Sequence, residues 1–129
     1  PPPPQAIPNR VPDLHQDLNV EPQSALLYRL NGDYNPLHAD PGIAKKAGFD
    51  QPILHGLATY GVAARAIMQS AGDQSPKKLK SFNARFSAPF FPGETLRTEI
   101  WHDADMMLFR TRALERNSIV LNNGSARIG

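Results

Sequence analysis

Cysteine is absent from all 129 residues, which excludes disulfides, zinc–thiolate sites and cysteine nucleophiles and fits an intracellular protein. No apolar run approaches the roughly 20 residues of a membrane span, and no signal-peptide pattern is present. The Asn123-Gly124-Ser125 sequon therefore carries no weight. A large excess of one charge is also missing: 14 Lys and Arg stand against 12 Asp and Glu, for a net +2. The basic residues are scattered, so nucleic acid is a poor partner, while a small acidic ligand remains compatible. Apolar residues make up only 40%, diluted by thirteen prolines. The length is still that of one domain, able to bury roughly two-thirds of its unfolded surface.

The prolines are concentrated at the start, "PPPPQAIPNRVPD". Each fixes φ and removes an N–H, so this stretch excludes a helix or a central strand. Residues 1–21 read as an extended linker in a domain taken from a longer polypeptide, and residues 22–129 as the folded unit. No internal repeat is present.

The middle of the chain reads as helical. Pro22 suits the first position of a helix through "QSALLYRL", stopped by Asn31-Gly32. Asp40 reads as an N-cap, Pro41 as the first residue of "PGIAKKA", and Gly48 as its C-terminal stop. A longer helix is predicted from about Gly56 to Ala71, with Leu57, Tyr60, Ala64, Ile67, Met68 and Ala71 at helical spacing. Its many Gly and Ala residues would let a sheet wrap closely around it.

Beyond residue 78 the period changes to that of strands. "LKSFNARFSA" places Phe82, Ala84 and Phe86 on one face, and "ETLRTEIWH" does the same with Leu96, Thr98 and Ile100. "MMLFRTRAL" and "SIVLNNGSARI" follow, and "FFPGE" supplies a Pro-Gly turn between the first two strands. Helices followed by an antiparallel meander indicate an α+β fold. One long helix with a curved antiparallel sheet suggests a hot dog.

The stretch "GDYNPLHAD", Gly32 to Asp40, holds the densest group of reactive side chains. Asp33 and His38 are five apart, which on one helix would separate them by about 140°. Pro36 prevents that helix and pushes Asn35 toward extended backbone. A bent segment would instead turn Asp33, Asn35 and His38 toward one point. A carboxylate, an amide and an imidazole so placed can hold a water molecule, with one group accepting a proton while another donates. The competing structural account has Asp33 capping a turn and His38 satisfied in the core. A calcium loop fails, because Leu37 occupies the third ligand position and the required Gly is missing.

"YRLNGDYNPLHADPGIAKKAGF" followed by "PILHGLATYG" resembles the hydratase-2 motif of the MaoC-like, (R)-specific enoyl-CoA hydratases. Tyr28, Gly32, Asp33, Asn35, Pro36, Leu37, His38 and Ala44 match it, while Asn31 departs from the small residue usual there. "ARFSAPFFPGETL" resembles the strand-turn-strand that follows the central helix in this family. The likeness covers nearly everything from Pro22 onward. It extends to the C-terminal half of the double-hot-dog hydratase-2 unit of eukaryotic peroxisomal multifunctional enzymes of type 2.

The resemblance implies hydration of a trans-2-enoyl-CoA to a (3R)-3-hydroxyacyl-CoA in fatty-acid β-oxidation, with no cofactor and no metal. It makes Asp33 and His38 the acid/base pair on water, has Asn35 fix their geometry, and gives the Gly56 backbone N–H the thioester oxygen. Gly56 also opens the long helix, where unsatisfied N–H groups and the positive end of the dipole favour an oxyanion. His55 could orient the catalytic group or pack beside the helix start, and packing is the preferred reading. A metal shared by His38 and His55 has no third ligand suitably spaced in the sequence. Lys45, Lys46, Lys77, Lys78, Lys80 and Arg85 are candidates for CoA phosphates, with Arg85 and Lys80 singled out. The resemblance also implies a peroxisomal location and pairing with a second hot-dog unit, as a homodimer or with an absent N-terminal half. The alternatives are a hot-dog thioesterase, an acyl-carrier dehydratase, or a non-catalytic acyl-CoA-binding or dimerisation module.

Overall fold

A computed structural model describes residues 5–28, 30, 32–70 and 79–128. The elements run β1 (Leu14–Asn19), α1 (Ser24–Tyr28), a 3-10 turn (Pro36–His38), α2 (Pro41–Lys46), α3 (Gly56–Ser70), β2 (Leu79–Phe86), β3 (Thr95–Asp103), β4 (Met106–Ala113) and β5 (Ser118–Ile128). The strands form one antiparallel sheet in the order β1-β3-β4-β5-β2, and α3 packs against it. This is the α+β hot-dog arrangement expected from the sequence.

Three expectations need correction. The supposed linker 1–21 contains β1, which pairs with β3 from Leu14↔Ile100 to Asn19↔Thr95. Once the prolines stop at Pro12, Leu14, Gln16 and Leu18 alternate with more exposed neighbours, a period-two signal masked by the composition upstream. Secondly, β2 and β3 are not a hairpin. The meander is β3-β4-β5, and β2 returns to pair with β5 at the far edge. The Pro92-Gly93 stretch therefore turns within a crossover, with Gly93 at φ +96°.

The third correction concerns the helices. α1 is shorter than predicted, ending at Tyr28, and Arg29, Asn31 and Ala71 lie outside the described residues. The buried stripe of α3 is Thr59, Ala63, Ala66 and Ile67, rotated from the expected one, while Leu57 is 71% exposed. Small side chains let α3 approach the sheet, so the alanine stripe faces inward and the larger residues flank it. Burying Ile67 fully contributes about 1.5–3 kcal/mol. It joins Leu96, Ile100, Phe109, Val120 and Leu121 in the core.

The opposite face of the sheet is crossed by the N-terminal arm. Trp101 Nε1 donates to the Arg10 carbonyl at 2.8 Å, His102 N to Asp13 Oδ2 at 2.6 Å, and Asn123 Nδ2 to the Gln5 carbonyl at 2.8 Å. The side chains of Phe82 and Ala84 pack on the core as predicted, but Phe86 is 57% exposed.

Candidate active site

The polar stretch folds as a tight turn. Asn35 has φ −56° and ψ 121°, the extended backbone that Pro36 imposes, and its Oδ1 accepts from the Leu37 N–H at 3.0 Å. The backbone N–H of Asn35 donates to Asp33 Oδ1 at 3.3 Å. Asp40 N donates to the Pro36 carbonyl at 2.8 Å, and Asp40 Oδ1 in turn accepts from Gly42 N at 2.8 Å and Ile43 N at 3.4 Å. Asp40 is thus the N-cap of α2, with Pro41 as first helical residue. At the other end Gly48 has φ +93°, and Phe49 N reaches back to the Ala44 carbonyl at 2.9 Å. That is the Schellman termination which favours glycine. Capped at both ends, α2 anchors the turn that carries His38.

This turn brings together what helical spacing would separate. An Asp33 carboxylate oxygen and ring nitrogens of His38 and His55 lie within 4.8 Å of one another. His38 is half-buried, and its Nδ1 lies 2.8 Å from the Ile53 carbonyl. A carbonyl only accepts, so Nδ1 carries the proton and Nε2 the lone pair in the neutral ring. His55 Nε2 lies 3.2 Å from the Asp33 carbonyl, which by the same argument makes Nε2 its donor. The two imidazoles stack, with centroids 3.8 Å apart and planes 25° from parallel, and Tyr28 leans on His55 at 4.6 Å.

The sequence offered no third metal ligand, but the fold supplies one in Asp33. The donor geometry nevertheless suits a metal poorly. Stacked rings hold their lone pairs in nearly parallel planes 3.8 Å apart, so one ion cannot lie in both planes at the about 2.0–2.1 Å a tetrahedral site needs. His55 Nε2 and His38 Nδ1 are moreover committed to carbonyls. The arrangement suits proton transfer to or from a held water.

Gly56 and His38 both line a cavity of about 320 Å³, together with Phe49, Ile53, Phe86 and Phe90. Gly56 is the first residue of α3, so its N–H belongs to the turn that has no intrahelical acceptor. A cavity with apolar walls, an imidazole in its lining and a helix N-terminus at its edge is suited to a substrate with an apolar chain and a polarisable carbonyl.

The MaoC like domain matches residues 4–123. The chain belongs to the MaoC-like domain family. It is 43% identical over 118 residues to the peroxisomal multifunctional enzyme type 2 of Mus musculus, covering 92% of this chain and 16% of that protein. It is 48% identical over 115 residues to the peroxisomal enoyl-CoA hydratase 2 of Arabidopsis thaliana, covering 89% of this chain and 37% of the relative. The structure of full-length peroxisomal multifunctional enzyme type 2 from Drosophila melanogaster superposes with a TM-score of 0.93 at 41% identity, over 98% of this chain and 24% of that one. The MaoC-like chain spans well under half the length of each of these relatives.

Among the described residues, the MaoC-like fold does not bring the candidate CoA-binding side chains to one cavity. Arg85 lines a polar cavity of about 360 Å³ with Ser87, Asn122 and Asn123, and Phe86 is common to this cavity and the one holding His38. Lys80 is exposed on β2 and lines neither. Lys45 and Lys46 close α2, and Lys77 and Lys78 lie outside the described residues. The Ile53 carbonyl was missed by sequence reasoning because a backbone acceptor leaves no mark on residue identity. For His55 the sequence left two readings, orienting the catalytic group or packing, with packing preferred. Its position one residue before a helix-opening glycine was the available signal.

Proposed function

We propose that this chain is the catalytic hot-dog half of an (R)-specific enoyl-CoA hydratase, adding water to a trans-2-enoyl-CoA. The observation that carries the reading is the convergence of Asp33 and His38 beside a cavity whose other wall is Gly56. Water held by the Asp33 carboxylate gives a proton to Nε2 of His38 as its oxygen bonds to C3. The C2=C3 electrons move onto the thioester oxygen, which the Gly56 N–H stabilises; they then return to C2, which takes the proton back from Nε2 of His38 and leaves the imidazole neutral. The product is the (3R)-3-hydroxyacyl-CoA. Positioned acid/base groups contribute typically 10²–10⁴ in rate, and an oxyanion donor about 10²–10³. Asn35 serves through the turn: its side chain is bonded to Leu37 N, so it orients Asp33 and His38 without meeting the substrate. No separate cofactor is needed, since the CoA thioester is the substrate.

Arg85, beside the amides of Asn122 and Asn123, is placed to receive a CoA phosphate next to the catalytic cavity. Leu26, Leu27 and Leu57 are all more than half exposed on α1 and the first turn of α3. Apolar surface of this kind marks a protein partner, and a second hot-dog unit is the occupant supported by the greater length of the relatives. The relatives' names place them in peroxisomes, and we assign the same location by that likeness. No helix among the described residues is long and apolar enough to cross a membrane.

The test is loss of the enoyl-thioester absorbance with crotonyl-CoA and a longer enoyl-CoA, with the native flanking sequence retained. Hydration abolished by Asp33→Asn supports the reading. Release of free CoA without hydration would replace it with a thioesterase, and no turnover of either substrate would leave an acyl-CoA-binding module.

A further inference from the structure

His55 is 1% exposed and is not among the residues lining the cavity shared by His38 and Gly56, although Leu54 and Gly56 on either side of it are. At 1% exposure its ring has almost no surface to offer a substrate. Yet the four residues 53–56 touch every part of the proposed reaction centre. The Ile53 carbonyl fixes the tautomer of His38, the ring of His55 stacks on His38, Nε2 of His55 reaches the Asp33 carbonyl, and Gly56 lines the cavity as the first residue of α3. The segment is itself anchored, by Leu54 N to the Phe90 carbonyl at 2.8 Å and Thr59 N to the His55 carbonyl at 3.0 Å.

We propose that His55 is a positioning residue, holding the Asp33 peptide through its Nε2–H and the plane of the His38 imidazole through the stack. The inference rests on the hydratase reading for its effect on rate, but the hydrogen bond it invokes is measurable without turnover. Asp33 is exposed, its carboxylate accepts a long backbone bond from Asn35, and the bond from His55 to its carbonyl ties the Asp33 peptide to the buried core. A core histidine that merely filled space would require neither a donor at Nε2 nor a flat ring against His38. The two contacts can be separated by substitution. His55→Phe keeps a flat ring and deletes the donor; His55→Gln keeps a donor at the place of Nε2 and deletes the ring.

The experiment compares the two variants and the wild type, with the native flanking sequence retained, in steady-state hydration, thermal unfolding and the backbone ¹³C′ shift of Asp33. Misplacement of a reacting group by about 1 Å costs on the order of 10² in rate. His55→Phe is expected to lower kcat by about that factor, leave KM nearly unchanged and move the Asp33 ¹³C′ resonance upfield. His55→Gln is expected to restore the resonance and much of kcat. Should His55→Phe not fold, His55→Met replaces it as the donor-free variant of similar volume. The proposal is overturned if the donor-free variant keeps wild-type kcat, if His55→Gln restores the resonance but none of the rate, or if kcat falls only in step with the melting temperature. A wild type that hydrates nothing while its Asp33 resonance still responds to His55→Phe would sink the hydratase reading and leave the hydrogen bond standing.

Discussion

Gly56 and Phe86 meet at the cavity that His38 also lines: a Cβ added to Gly56 would stand 3.3 Å from both Cε1 and Cζ of the Phe86 ring. Phe86 is the exposed end of β2 and lines the cavity with Gly56, so it has room to swing away. Gly56→Ala should therefore fold with nearly wild-type stability and lose activity, because the added methyl and the displaced ring both intrude where the thioester must reach the N–H. A loss of at least tenfold in kcat/KM is expected, about 1.4 kcal/mol or more of transition-state stabilisation. Adding Phe86→Ala should recover part of it, and a double-mutant cycle measures the coupling. Strict additivity would show that the ring contact does not matter.

Asp33→Asn and His38→Ala should each reduce hydration by about 10²–10⁴ while leaving the melting temperature close to wild type. The carboxylate sits on an exposed residue and His38 is only half-buried, so little packing is lost in either variant. The double variant should be scarcely slower than the slower single one, since both groups act on one water. Single-turnover rates for all three decide this, and multiplicative losses would mean that the two groups act separately.

The contrast between these residues and their neighbours shows how far sequence reading reached. Caps and stops at Asp40, Pro41 and Gly48 were legible because they depend on single residues with strong local preferences. Strands β3 to β5 were legible because alternation is itself local. The pairing of β2 with β5 was not, since partner choice in a sheet is decided by long-range packing that no single strand encodes. The rotation of α3 was misread for a related reason. Leu57 looked like a core residue by hydropathy, but the sheet selected the alanine stripe that permits close approach. At the site, Asp33, His38 and Gly56 were visible as side chains or punctuation, whereas the Ile53 carbonyl and the contacts of His55 exist only once the chain is folded.

Asp40, adjacent to the reactive turn, should behave in the opposite way to Asp33. Removing its cap in Asp40→Ala should cost about 1 kcal/mol. For a domain of this size that lowers the melting temperature by roughly 3–5 °C. Hydration per folded molecule should stay near wild type, and Asp40→Asn, which retains an acceptor, should recover most of the stability. Differential scanning calorimetry beside the absorbance assay checks both, and a large loss of kcat without a loss of stability would make Asp40 a catalytic carboxylate after all.

Gly124 is constrained by space. A Cβ there would lie 2.6 Å from Cε2 and Cζ of Phe109 and equally close to the Phe109 carbonyl oxygen. Phe109 is fully buried and stacks on Phe82 at 4.8 Å, so its ring has no free volume to enter. Gly124→Ala is expected to destabilise by about 1–3 kcal/mol or more. Phe109→Leu should relieve only part of this, because the carbonyl contact belongs to the cross-strand pair Phe109↔Gly124. Urea unfolding of the two single variants and the double variant measures it, and full relief in the double variant would place the conflict in the ring alone.

The outer face of the sheet sets the acid stability. Burial raises the pKa of the Glu99 carboxyl, but hydrogen bonds from Arg110 at 2.7 Å and Arg112 at 3.1 Å outweigh it and hold Glu99 below its ordinary value of 4.5. Asp13, bonded first by Arg10 and then by His102 N, is lowered from 3.8 to about 2, and Asp17 is lowered mainly by Arg97. A carboxyl with a depressed folded-state pKa contributes its full stability above the unfolded value and loses it as pH falls through the folded one. The melting temperature should therefore be insensitive to these groups from neutral pH down to roughly 5 and fall progressively below about 4.5. In Glu99→Gln the deficit relative to wild type should be constant above that range and shrink below it, because protonation abolishes the same charge in the wild type. Thermal melts of both proteins from pH 7 to pH 3 decide the matter: a deficit that stays constant or widens toward pH 3 would show that the Arg110 and Arg112 bonds do not stabilise the charged form.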